Sequence, residues 1–106
     1  MPIPTTRSFG ARQIMNGLSV VPNSLTVLTA EDSVVFQIVV SNNTGTAANL
    51  TVTDGNGLYI CDAYPIPIQS PVVLSFPEGV FMDGGVKWLS GTANALQGEI
   101  FGFEKE

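Results

Sequence analysis

The sequence predicts an all-β domain, a jelly-roll or Greek-key β-sandwich of about eight short antiparallel strands. Three observations carry that expectation. Several short runs alternate apolar and polar residues at period two, most clearly over residues 33–41 and 50–53. Clusters of Gly, Pro, Asn and Asp interrupt the runs at short intervals. No stretch reads convincingly as a helix, and short strands at such spacing are the pattern of a sandwich. An immunoglobulin-like sandwich is the near competitor, but it normally presents Cys, Trp and Cys in order, and here one cysteine precedes one tryptophan.

Taken in order, residues 1–10 form an extended N-terminal arm and residues 11–106 the sandwich. Pro2 and Pro4 remove backbone donors and keep the arm out of a sheet interior. Such a terminus is commonly a frayed end. The alternative is an arm lying on a neighbouring subunit, with Arg7 and Phe9 as its candidate contacts. Residues 11–21 have a weak helical spacing through Ile14, Met15 and Leu18, but Asn16-Gly17 is a turn signal, so strand, turn, strand is expected. Residues 25–28 make a short strand with Thr26 outward, and Ala30-Glu31-Asp32 turns the chain.

The principal run follows. Val34, Phe36, Ile38 and Val40 are expected on one face, with Val35, Gln37, Val39 and Ser41 on the other. Residues 42–45 form a turn, and alternation resumes with Leu50 and Val52 against Thr51 and Thr53. Two such runs around an Asn/Thr/Gly break predict a β-hairpin with a loop longer than two residues.

Asp54-Gly55-Asn56-Gly57 is the sharpest turn, because Asp-Gly and Asn-Gly supply positive φ. Its acid and amide resemble the start of a calcium loop, but Leu58 occupies the next ligand position and no bidentate Glu closes it, so it reads as a plain turn. A short strand over 58–61 leads to Pro65, Pro67 and Pro71, a stiff extended connection between sheets. Val72, Leu74 and Phe76 share one strand face, Pro77-Glu78-Gly79 turns, and 80–82 is a further short strand. Asp83-Gly84-Gly85 turns again. Val86 and Trp88 share a face with Lys87 opposite, a small-residue loop follows, and residues 96–104 close the fold with Ile100, Phe101 and Phe103.

Composition bounds the function. At 106 residues the chain is one domain with room for a core. Nine acids against four bases give a net charge of −5, which argues against nucleic-acid binding. Only 12% of residues are charged, so much of the surface must be neutral polar or apolar, and self-association or a larger assembly is expected. No stretch approaches the roughly 20 apolar residues of a membrane helix, and no signal-peptide core is present at the N-terminus, so synthesis in the cytoplasm without export is expected. Asn42 and Asn49 head Asn-x-Thr triplets, read as turn chemistry and not glycan sites.

With no histidine, Ser- or Cys-based catalysis with a histidine base is excluded, and so is histidine-ligated zinc. The lone Cys61 allows no intrachain disulfide and reads as a small buried hydrophobe. The acids sit mostly in turns, where they are solvated or bond nearby backbone. Glu99 is the one acid inside an expected strand, with Gly98 and Gly102 leaving space beside it. No phosphate-loop or dinucleotide motif occurs. No enzyme activity, cofactor or metal is expected. Trp88, Tyr59 and Tyr64 are the candidates for stacking on a sugar ring, though Trp88 is better placed as a core residue.

Three stretches carry a resemblance: Val-Val-Phe-Gln-Ile-Val-Val-Ser-Asn-Asn-Thr-Gly-Thr-Ala-Ala-Asn-Leu-Thr-Val-Thr-Asp-Gly, then Pro-Val-Val-Leu-Ser-Phe-Pro-Glu-Gly-Val-Phe-Met-Asp-Gly-Gly-Val-Lys-Trp, then the small-residue loop and aromatic closing strand. From Leu25 onward the chain resembles the jelly-roll decoration, or cement, proteins of tailed-phage heads. The resemblance implies a homotrimer on the outer capsid surface of the virion, with the major capsid protein as partner and no catalytic residue. Tail-fibre, neck and carbohydrate-binding modules use similar sandwiches and are the alternative.

Overall fold

A computed structural model describes residues 9–105. β-branched and aromatic residues fill the runs between turn clusters and favour pleated, half-buried strands. The strands are β1 (Phe9–Gln13), β2 (Ser19–Val20), β3 (Thr26–Thr29), β4 (Ser33–Asn42), β5 (Ala48–Asp54), β6 (Tyr59–Ile66), β7 (Pro71–Met82), β8 (Val86–Ser90) and β9 (Leu96–Lys105). Of the arm assigned to 1–10, residues 1–8 lie outside the described residues, whereas Phe9 and Gly10 belong to β1.

Two sheets result, one in the order β1-β9-β4-β7 with β2 also on β9, the other in the order β3-β8-β5-β6. Every pairing within them is antiparallel. If β1 and β2 are taken as one interrupted strand, eight strands wind between two four-stranded layers, which is a jelly roll. The core lies between the layers. Val35, Ile38, Val40, Leu96 and Ile100 face it from one sheet, and Leu50, Val52, Val86 and Trp88 from the other. Val72, Leu74 and Phe76 pack against it from β7, on the shared face that their alternation predicts.

The expected hairpin between the two central runs does not form. β4 pairs with β7 and β9, whereas β5 pairs with β6 and β8, so residues 43–47 cross from one sheet to the other. Asn42, fully buried, organises that crossing. Its amide donates to Thr46 O at 2.8 Å, and its carbonyl oxygen accepts from Thr44 N at 3.0 Å and Thr44 Oγ1 at 2.7 Å. A loop held this way by a buried side chain leaves the two strands free to find separate partners.

The face assignment of β4 also changes. Val35 pairs with Gly102 and Gln37 with Phe101, so Phe36 is an extra residue in β4. This bulge reverses the alternation. Val35 points inward before it and Ile38 and Val40 after it, while Phe36 turns outward and is 39% exposed. Val34 and Phe36 therefore do not share the face of Ile38 and Val40. Opposite the same bulge, Pro77-Glu78-Gly79 does not end a strand but is an irregularity inside the twelve-residue β7. Gly79 sits there at φ 81°, and a Cβ on it would lie 2.6 Å from Val34 Cγ1. The proline-rich connection is shorter than expected: β6 runs on through Pro65 to Ile66, which an edge strand allows, Pro71 opens β7, and only residues 67–70 lead to the other sheet.

Candidate functional site

The chemistry-bearing features expected from the sequence disperse in the fold. The turn acids accept hydrogen bonds within one turn or between turns. Asp54, 6% exposed, accepts from Asn56 N at 2.8 Å and Leu58 N at 3.0 Å. Asp32 accepts from Gly84 N and Asp83 from Asn56 Nδ2, each at 2.8 Å. Among the described residues no group of three or more Cys, Asp or Glu is placed to hold a metal ion. The glycines near Glu99 leave no open space beside it. A Cβ at Gly98 would lie 2.5 Å from Val39 O, and one at Gly102 2.2 Å from Val34 O, so both glycines are filled against β4. The Cys61 thiol is half-buried and donates to Leu50 O at 3.6 Å. Burial raises its pKa above the ordinary value, a backbone hydrogen bond at Val52 offsets part of that, and the nearby Asp62 carboxylate adds to the rise.

Nor do the candidate sugar-stacking rings converge. Trp88 is 1% exposed and fills the core, so it offers no face to a ligand. Tyr59 and Tyr64 are exposed on the edge strand β6, opposite Thr53 and Leu50. Arg7 lies outside the described residues, and Phe9 opens β1 opposite Lys105.

What the fold does bring together is an apolar outer face on the five-stranded sheet. Register places Phe103, Val34 and Phe81 in one row across β9, β4 and β7. The next row holds Phe101, Gln37 and Ser75, with Phe36 pushed out beside it by the bulge. The third holds Glu99, Val39 and Val73. Phe81 is 56% exposed, Phe101 41% and Val73 53%. Phe36 and Phe103 meet edge to face, with centroids 6.4 Å apart at 67°. Glu99 is the single ionisable side chain in these three rows, and the Arg12–Glu104 ion pair stands at the margin, where β1 meets β9.

Within this face lies a depression of about 230 Å³, lined by Gln13, Met15, Phe36, Phe101, Gly102 and Phe103. Met15 is held in its lining by its Sδ, which accepts from Ile100 N at 3.3 Å. The depression offers apolar surface and no ionisable group, so its chemistry is to hold apolar side chains. Sequence reasoning found the closing aromatic strand but not this face. The signal was present in residues 96–103, where Leu, Gly, Ile and Gly alternate with Gln, Glu, Phe and Phe. Leu96, Gly98, Ile100 and Gly102 are the buried side, turned to the core, which leaves the phenylalanines outside. No helix among the described residues is long and apolar enough to cross a membrane. No family model, curated protein or solved structure matches the chain.

Proposed function

We propose that this chain is a non-enzymatic structural protein of a virion, a homotrimeric decoration protein that sits on the outer surface of a tailed-phage capsid and steadies its coat lattice. The observation that carries the proposal is the phenylalanine face. Large apolar side chains on a sheet exterior are informative where they cluster, because a soluble monomer has no use for them. The jelly-roll topology and the sparse charge, 12% of residues, agree with a protein whose work is broad contact with other chains.

Magnitudes favour a multivalent arrangement. Taking ~200 Å² for a phenylalanine side chain, the exposed parts of Phe36, Phe81 and Phe101 come to roughly 270 Å². At about 25 cal/mol/Å² full coverage contributes at most about 7 kcal/mol. Association costs on the order of 4–15 kcal/mol. A single such contact is therefore weak, and three linked in one trimer hold through avidity.

Light scattering after size exclusion is expected to give about 34 kDa, three times the 11.2 kDa chain. Cosedimentation with capsids assembled from the major capsid protein of the same phage is expected to be saturable. A strict monomer at micromolar concentration, or binding to tails and not heads, defeats the proposal.

A further inference from the structure

The depression beside Phe101 matches a stretch of this same sequence. Its 230 Å³ is smaller than the ~300–1,000 Å³ typical of small-molecule sites but is ample for one or two apolar side chains. Aromatic-lined depressions receive Pro-rich segments in particular, because proline arrives already extended and loses little freedom. Residues 1–8 read Met-Pro-Ile-Pro-Thr-Thr-Arg-Ser, with isoleucine between two prolines and no acid.

We infer that the depression lined by Phe36, Phe101 and Phe103 receives the Pro2-Ile3-Pro4 segment of a second copy of the chain. This rests on the proposed trimer and names the contact that links its subunits; it takes Phe36 and Phe101 from the area reckoned above and leaves Phe81 and Val73 for the coat. Reach and direction favour exchange between copies. Eight residues span at most about 26–29 Å. β1 starts at Phe9 opposite Lys105 and runs towards Gln13 at the rim of the depression. Gln13 is at the far end of β1 from Phe9, so residues 1–8 join the chain at the end of β1 away from its own depression.

Two full-length variants test the inference. Ile3→Asp spoils the segment and leaves the depression intact, whereas Phe101→Asp does the reverse. Each is expected to raise the concentration at which the trimer dissociates by about a hundredfold or more, as when a carboxylate is forced into an apolar site. Mixed one to one, the two are expected to form a heterodimer of about 22 kDa, twice 11.2 kDa, because one intact segment meets one intact depression and the ring cannot close. Circular dichroism checks that each variant is folded, and Phe101→Gln serves if Phe101→Asp is not. Trimers that survive Ile3→Asp overturn the inference, and so does a mixture that stays monomeric. A wild-type trimer that fails to bind capsids sinks the virion role and leaves this contact standing.

Discussion

Replacing Asn42 by alanine is expected to destabilise the protein more than any neighbouring polar substitution. Its side chain is fully buried and bonds to the carbonyl oxygens of Thr46 at 2.8 Å and Ile66 at 3.4 Å, and to Thr44 N and Oγ1 at 3.0 and 2.7 Å. The backbone of Asn42 also accepts from Gln69 N at 2.7 Å, so the residue joins the end of β4 to both the β4–β5 crossing and the β6–β7 connection. Asn42→Ala removes three short, part-buried bonds that tie the crossing to the end of β4. At ~1 kcal/mol net for each, the loss is about 3 kcal/mol. An unfolding entropy of ~2.1 cal/mol/K per residue gives roughly 0.22 kcal/mol/K for a chain this long, so the melting temperature should fall by about 14 °C. Circular dichroism melts at one fixed protein concentration measure this, since oligomers melt at concentration-dependent temperatures. Asn43→Ala, at an exposed position next door, serves as the control and should shift the midpoint by no more than about 2 °C. A fall of less than about 4 °C for Asn42→Ala, or equal falls for the two variants, refutes the reasoning.

Three further outcomes are expected. Gly102→Ala places a Cβ 2.2 Å from Val34 O and 2.9 Å from Ile14 Cδ1, so it should cost about 1–3 kcal/mol or more in urea unfolding; a neutral result would show that β9 can move off β4. Trp88 is 1% exposed, so its fluorescence should resist iodide quenching until the chain unfolds, and immediate quenching would contradict its place in the core. The Cys61 thiol has its pKa raised chiefly by burial, so iodoacetamide should label it more slowly than the unfolded chain at pH 8. As the folded pKa lies above the unfolded one, the unfolded chain ionises first when pH rises. Stability is then lost upward from the ordinary thiol range near ~8.5, and Cys61→Ser should flatten that alkaline loss. An unchanged slope in Cys61→Ser would assign the loss to other groups.

Some of this protein was legible from the sequence by itself. Period-two runs and turn chemistry determined the all-β class, the inward placement of Leu50, Val52, Val86 and Trp88, and the tight turn that Asp54 holds. These are local properties, set by alternation along one strand or by a side chain bonding backbone two to four residues away. Which strand lies beside which was decided only in three dimensions. β4 takes β9 as a neighbour, pairing Ser33 with Glu104, and nothing within either run specifies that partner. The outer face had the same origin. One extra residue at Phe36 turns the first half of β4 over, and the burial of Leu96 and Ile100 in the core turns Phe101 outward on β9. The phenylalanine face exists because both adjustments meet on one sheet. Where both sides of a strand carry large apolar residues, as in β4 and β9, periodicity reports only that there are two sides, and packing determines which one water meets.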